Sequence, residues 1–414
     1  MQRPVQWIKS YEVLIITALH ITTVFLTWHM VGPVLPRFAL EFGVSVTEVG
    51  LLISAFTLAR VFLNFPAGSL SERIGRRAVL IAGGTLVGLA SIGSGLVQGF
   101  PELVVLRFLT GAGGALAVTV SSTIMADIST RGNRARMMSF NEGIVSMGLF
   151  LGPGVGGLLA DAVGLRVPFY VAGALALCAT AWAALRLPET RGWNADPRPA
   201  NAGPRPGLWA GVRQILVDRD YLMIAMVAFA TFFTRFGTLF LLLPVLAYSM
   251  GMSPGQYGLM ASCIALIQVP LLAVAGTLAD RVGRKAVIVP SQILTGAAII
   301  GYGLAPSVPW FLVAAAFFAL GMGIGGTAPG AYLADIAPSH LRGVSIGLYR
   351  TIGDIAGFFG PLVLGLVADH AGPGTAVSVN GLLVCAIAGV FAVFARETLV
   401  REPQLATPAP GARG

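Results

Sequence analysis

The stretch GSLSERIGRR at Gly68–Arg77 returns as GTLADRVGRK at Gly276–Lys285. Aligning Pro66–Val79 with Val274–Val287 leaves 8 of 14 positions identical. The same offset carries GPGVGGLLADAVG at Gly152–Gly164 onto GPLVLGLVADHAG at Gly360–Gly372 with 8 identities in 13, and it sets Asp127 on Asp335 and Pro36 on Pro244. A repeat of about half the chain means one fold built twice.

Hydrophobic residues make up 56% of the 414 and charged residues only 11%. Water does not tolerate the apolar surface such a composition would expose, whereas a bilayer is itself an apolar solvent. About 20 apolar residues cross its core as a helix, with every backbone N–H and C=O satisfied inside the segment. The sequence predicts twelve such helices, over 12–36, 45–68, 78–98, 102–126, 137–161, 167–187, 220–247, 255–278, 286–305, 309–334, 343–368 and 375–396. The expected fold class is all-α integral membrane: two pseudo-symmetric six-helix bundles, 1–187 and 220–397, joined by a linker at 188–219 and followed by a disordered tail at 398–414.

Placing both termini in the cytoplasm puts 21 of the 27 Lys and Arg residues in cytoplasmic segments, two outside (Arg37 and Arg166) and four within the membrane. That bias sets the orientation and accounts for the net charge of +9 without nucleic acid, for which no aromatic-basic platform exists. The first apolar run reads as a retained helix rather than a signal peptide, because no small-residue cleavage site follows it. The linker is rich in Pro, Gly and Arg, and its second part, LWAGVRQILV at Leu208–Val217, spaces Leu208, Val212, Ile215 and Leu216 on one face as an interfacial helix would. Cys178, Cys263 and Cys385 have neither disulfide parity nor metal spacing and read as packing residues.

Two six-helix halves, a long central loop and the repeated loop motif resemble the major facilitator superfamily over nearly the whole chain. The motif residues are Gly68, Glu72, Arg73, Gly75 and Arg76, and in the second half Gly276, Asp280, Arg281, Gly283 and Arg284. Within that superfamily, the helix-5 pattern G-x-x-x-G-P-x-x-G-G of drug–proton antiporters is met by Gly148, Gly152, Pro153, Gly156 and Gly157. The helix-4 pattern R-x-x-x-G-x-G is met by Arg107, Gly111 and Gly113, and the repeat partner of Arg107 is Ala315. The sequence departs from the family at Glu72, where an aspartate is usual, and in helix 1, which has no acid deeper than Glu12.

A charge at the bilayer centre costs at least about 2.5 to 3.5 kcal/mol on insertion scales, so each one is expected to face a cavity or a partner. Arg60 falls mid-helix 2, Arg235 mid-helix 7, Arg107 nearer the outer face, and Asp354, the deepest carboxylate, mid-helix 11. The family architecture brings helices 2 and 11 together, which implies an Arg60–Asp354 pair across the halves; Arg350, at i, i+4 spacing on the same helix, is the competing partner. The symmetry-related positions are Gln268 and Ser146, polar but neutral. Asp354 is thus the candidate proton carrier, with Arg107 and Arg235 suited to an anionic ligand or to tuning that carboxylate. His20 and His29 lie nine residues apart, half a turn around the axis, so only one can line a cavity; His20 is the deeper candidate. Trp28, Phe232 and Phe233 are candidate lining residues.

The resemblance also implies a cytoplasmic gate. Glu72 is expected to engage the Arg350 region and Arg281 and Arg284 to engage Glu142 when the outer side is open, while Asp127 and Asp335 hold the motif arginines within each half.

These residues point to a secondary transporter working by alternating access, exporting a drug or metabolite by exchange for protons across the cell inner membrane. Metabolite uptake or facilitated diffusion is the alternative, and a non-transporting receptor or scaffold a more distant one. No metal-protease, Walker or nucleophile-elbow motif is present, so an enzyme is not expected. The expected partners are a small-molecule substrate, protons and lipid around a monomer, with no cofactor and no nucleic acid.

Overall fold

The computed structural model describes residues 2–130, 133–193, 208–338 and 341–399. Among these residues, twelve helices are long and apolar enough to cross a membrane, numbered in chain order as helices 1 to 12: Ser10–Val31, Val46–Asn64, Arg76–Leu96, Phe100–Ile128, Arg136–Val163, Val167–Arg186, Arg219–Ser249, Pro254–Val282, Arg284–Gly303, Val308–Ile336, Arg342–Ala371 and Pro373–Phe394. No strand occurs among the described residues.

Helix 2 runs on to Ile74 and helix 8 to Val282, beyond their expected ends at 68 and 278. Most of the repeated motif is therefore the last turns of a helix rather than a loop. The chain turns at Gly75 and Gly283, where φ is +99° and +124°. Only glycine adopts such angles without strain, and the next helix begins at the following residue.

Two helices depart from regularity. Helix 7 widens into a π-helical stretch over Thr234–Leu242, and helix 10 breaks between Gly325 and Ala328, where the GMGIGG cluster ends and Pro329 starts a new helical segment. The linker residues 194–207 lie outside the described set. The predicted helix at Leu208–Val217 is formed; Ile215 is buried and Gly211 faces Leu341. Thr398 is held by Asp335, so the second bundle reaches past the expected boundary at 397, and the remainder of the expected tail, 400–414, lies outside the described residues. Cys178 and Cys263 are exposed on the outer surface of the bundle rather than packed within it as expected, because an apolar span has no polar face to mark its lipid side.

The halves meet along helices 2 and 11 and along helices 5 and 8. Backbone approaches backbone at symmetry-related points: Gly50 lies against the Pro361 carbonyl and Gly258 against the Pro153 carbonyl, leaving no room for a Cβ. At the end remote from the basic loops, two carboxylates bridge the halves in the same symmetric way. Asp369, closing helix 11, accepts from the backbone N–H groups of Val46 and Thr47 at 2.9 Å each and from the Thr47 hydroxyl at 2.5 Å. Asp161, closing helix 5, accepts from the Gly255 N–H at 2.9 Å and from the Ser253 hydroxyl. Each seats an anion on the N-terminus of the partner half's helix, where orphan N–H groups and the helix dipole favour it. The Tyr248 hydroxyl, donating to the Pro33 carbonyl, and Arg37, 5.5 Å above the Tyr248 ring, complete this closed end.

At the basic end the halves separate. Among the described residues, no hydrogen bond or ion pair joins helix 2 beyond Asn64 to helix 11 before Asp354, and none joins helix 5 before Gly154 to helix 8 beyond Ser262.

The two carboxylate bridges yield a test. Charge-assisted hydrogen bonds contribute about 1.5–3 kcal/mol each, so Asp161→Ala combined with Asp369→Ala is expected to populate a conformer opened at the closed end. Spin labels at Val163 and Leu304, both exposed there, should report longer distances in the double variant. An unchanged distance distribution would show that the bridges do not hold that end shut.

Candidate functional site

Between the halves lies a cavity in two adjoining lobes, each of about 150 Å³. One is lined by helices 1, 2, 4 and 7, with Trp28, Phe56, Arg60, Arg107 and Arg235 among its walls; the other reaches helices 5 and 8 at Pro153 and Gln268. His29, Gly32, Arg235 and Phe240 belong to both. Of the expected aromatic lining, Trp28 and Phe232 face this space and Phe233 is instead buried, its backbone against Gly360.

Asp354 is buried at the helix 2–helix 11 crossing. Arg60 Nη2 lies 3.2 Å from its Oδ1, and Asn64 donates to its Oδ2 at 2.9 Å. The ion pair is off line for a hydrogen bond, which leaves Oδ1 without a donor among the described residues. Arg350 is exposed and makes no ion pair with Asp354 among the described residues, so the inter-half partner is the one in contact. Gln268, the repeat counterpart of Arg60, lines the second lobe.

The other two cavity arginines have no acidic partner among the described residues. Arg107 is 7% exposed, its Nε unbonded, and its guanidinium sits 5.5 Å from the Phe56 ring centre. Arg60 shares that ring from 5.9 Å and lies 5.6 Å from the Trp28 ring. These are cation–π distances.

The histidine expectation needs correction. His20 is buried inside the first bundle, its Nε2 3.2 Å from the Thr180 hydroxyl, and it lines neither lobe. His29 occupies the cavity wall. Nine-residue spacing gives the relative phase of the two but not which one faces inward.

The helix-5 glycines form two contact surfaces. Cβ atoms at Gly148, Gly152 and Gly156 would run into helix 1 at Thr22, His29 and Met30, and one at Gly157 into the Pro254 carbonyl of helix 8. Between them the Gly154 N–H donates to the Ser262 hydroxyl at 2.9 Å. Helix 5 is thus pressed against its own bundle and against the other half, with Gly152 packed on His29 of helix 1. In helix 4, Gly111, Gly113 and Gly114 let in helices 2, 3 and 1 at Phe56, Gly83 and Trp28 respectively.

At the basic end each half holds the same network. Arg76 pairs with Asp127 at 3.0 Å and Glu72 at 2.7 Å; Arg284 pairs with Asp335 at 3.0 Å and Asp280 at 2.9 Å. Arg73 and Arg281 are exposed, so the second motif arginine, not the first, does the holding. Glu72, Glu142 and Arg350 are exposed and make no bridge between halves among the described residues, and Gly68 has open space where a Cβ would stand.

Two residues of that network escaped the sequence reading. Glu189 accepts from the backbone N–H groups of Arg76 and Arg77 at 3.0 and 3.2 Å, and Glu397 from those of Arg284 and Ala286 at 2.8 and 3.3 Å. The repeat offset already relates Glu189 to Glu397 and Thr190 to Thr398, a signal weakened by the lack of surrounding identity. Partial burial works to raise the Glu397 carboxyl, but donation from the Leu399, Ala286, Arg284 and Thr398 backbones outweighs it and holds the group below its ordinary range. Asn64, Asp161 and Asp369 were likewise missed.

The chain matches the family model of the Major Facilitator Superfamily over residues 17–253 and 224–413. It is 24% identical over 347 residues to an uncharacterized MFS-type transporter of Methanocaldococcus jannaschii, covering 83% of this chain and 87% of that one. It is 30% identical over 160 residues to the quinolone resistance protein NorA of Staphylococcus aureus, covering 39% of this chain and 41% of NorA. Among solved structures, a bacterial homolog of the human lysosomal transporter Spinster, inward-facing and unoccupied, superposes with a TM-score of 0.77 at 17% identity, covering 93% of this chain and 95% of that one.

Gly156→Leu is expected to cost about fivefold to a hundredfold in transport rate or to block cycling outright, since overpacking a tight helix contact costs about 1–3 kcal/mol. Gly389→Leu on helix 12, where a Cβ meets nothing within 4 Å, is the control and should leave transport unchanged. A second expected outcome concerns Glu397. Because its folded value is depressed, its contribution to stability is full above the unfolded value and vanishes as pH falls through the folded one. Glu397→Gln should therefore lower the thermal midpoint at neutral pH and match the parent in strong acid.

Proposed function

We propose a transport cycle for this chain from the premise that it belongs to the major facilitator superfamily, whose members move small molecules across membranes as secondary transporters. The reading is proton-coupled export of a drug or metabolite across the inner membrane. Both termini and the basic loops face the cytoplasm, in keeping with the Lys and Arg bias. The conformer described above is then inward-open, its outer end shut by Asp161 and Asp369.

One observation carries the coupling: a buried carboxylate, Asp354, held across the mobile interface by Arg60 and Asn64. Ionised, it joins the halves through an ion pair that low polarity strengthens; protonated, it keeps only neutral hydrogen bonding. Loading a proton therefore loosens the helix 2–helix 11 crossing, and losing it restores the pair. Rocking of the halves converts that change into exposure of the cavity to one side and then the other. In the outward-open state the freed basic end closes, with Glu72 approaching Arg350 and the start of helix 11, and Arg281 and Arg284 approaching Glu142. The helix-5 glycine pattern and the partial similarity to NorA support export, and the asymmetric placement of charge, with Gln268 and Ser146 at the related crossing, supports a single proton site.

The test uses inverted membrane vesicles holding an acid interior. A compound that the chain exports should discharge the pH gradient on addition, and Asp354→Asn should abolish that discharge while leaving counterflow of the same compound. Gradient-driven movement that persists in Asp354→Asn would remove the proposed proton site. Gradient-driven movement of the compound out of the vesicle lumen into the bath would reverse the proposed direction.

A further inference from the structure

We propose that the cavity binds an aromatic organic anion, its acidic group on Arg107 and Arg235 and its ring among the aromatic side chains of helices 1 and 7. The proposal deepens the transport reading and rests on it for movement of the ligand, while the binding step is separable.

Arg60, Arg107 and Arg235 all line the first lobe, and no carboxylate is among the residues lining either lobe. Asp354 offsets Arg60 from outside the wall, leaving two cations without a counter-charge among the described residues. Guanidinium stays protonated at any physiological pH, so neither can escape by neutralising. Arg107 is nine-tenths buried with an unsatisfied Nε, a donor waiting for an acceptor. An arginine fork matches a carboxylate, sulfonate or phosphate with two parallel hydrogen bonds. A cationic ligand would meet repulsion from both Arg107 and Arg235.

The walls select the rest of the molecule. Phe232, Phe236 and Phe240 follow one another at four-residue steps on helix 7, ring centres 6.5 and 5.8 Å apart and planes within 26°. His29 lies 5.7 Å from Phe240, and Phe25 and Trp28 face them from helix 1. A slot with such flat walls and two fixed polar anchors suits a planar ring bearing one acidic group. Arg235 sits in the π-helical stretch that carries Phe236 and Phe240, so the same irregularity presents anchor and platform together.

The experiment compares three ligands of one shape by equilibrium dialysis on the full chain in lipid nanodiscs: naphthalene-1-carboxylate, its neutral carboxamide and 1-naphthylmethylammonium, with inorganic phosphate as the ringless anion. The expected order is carboxylate tightest, carboxamide about tenfold or more weaker, ammonium and phosphate weakest. Arg107→Gln and Arg235→Gln should each weaken the carboxylate at least tenfold and leave the carboxamide unchanged, and Arg235→Lys should recover part of the loss. Equal binding of the three ring compounds, preference for the ammonium, phosphate binding as tight as the carboxylate, or Gln variants that hold the carboxylate like the parent would each overturn the proposal. The three-ligand comparison needs no variant and survives any that fail to fold. Carboxylate binding that persists while pH-gradient discharge is absent sinks the coupled cycle and upholds this site; discharge with no anion preference does the reverse.

Discussion

A charge surrounded by hydrocarbon must find a counter-charge or a polar cavity within the protein, and that constraint organises this structure. Arg60 and Asp354 meet it by reaching across from one half to the other, so a buried ion pair is also a joint between the two halves. Everything around the joint is built for close approach. Gly50 admits the Pro361 carbonyl, Gly357 faces Thr57, and the Ser54 hydroxyl donates to the Phe358 carbonyl at 2.6 Å. With so little side-chain volume between the backbones, the two helices can lie at the distance the ion pair requires.

The duplicated architecture is nearly exact in its framework and broken in its chemistry. The networks of Arg76, Asp127 and Glu189 recur as Arg284, Asp335 and Glu397, residue for residue. The intramembrane charges do not recur: the repeat counterparts of Arg60, Arg107 and Asp354 are Gln268, Ala315 and Ser146. Framework residues keep each bundle rigid and can be copied. A charged site copied twice would place like charges on both sides of one cavity.

Much of this was legible because the repeat could be read without knowing the fold. It located the halves, the paired motifs and the acids at 127 and 335. The helix-5 glycines were visible as a pattern, and the structure supplies their reason, two surfaces meeting helices 1 and 8. What could not be read was absolute helix phase. In a soluble helix the polar face marks the outside; here His20 and His29 sit in equally apolar surroundings, and only packing decides that His29 faces the cavity. Cys178 and Cys263 were misplaced for the same reason. Glu189, Glu397, Asp161 and Asp369 went unnoticed because their partners are backbone N–H groups and neutral hydroxyls, which leave no signature in charge pairing.

The closed-end bridges have a mechanical meaning beyond closure. Asp161 and Asp369 each sit at the C-terminal end of their own helix, where exposed carbonyls repel an anion, and only the partner helix's N-terminus relieves that repulsion. When the two halves part at this end, both anions are left facing their own helices' unfavourable pole. Opening thus winds two matched springs, one on each side of the axis, and their recoil draws the protein back toward the shape described here without any ligand having to push it.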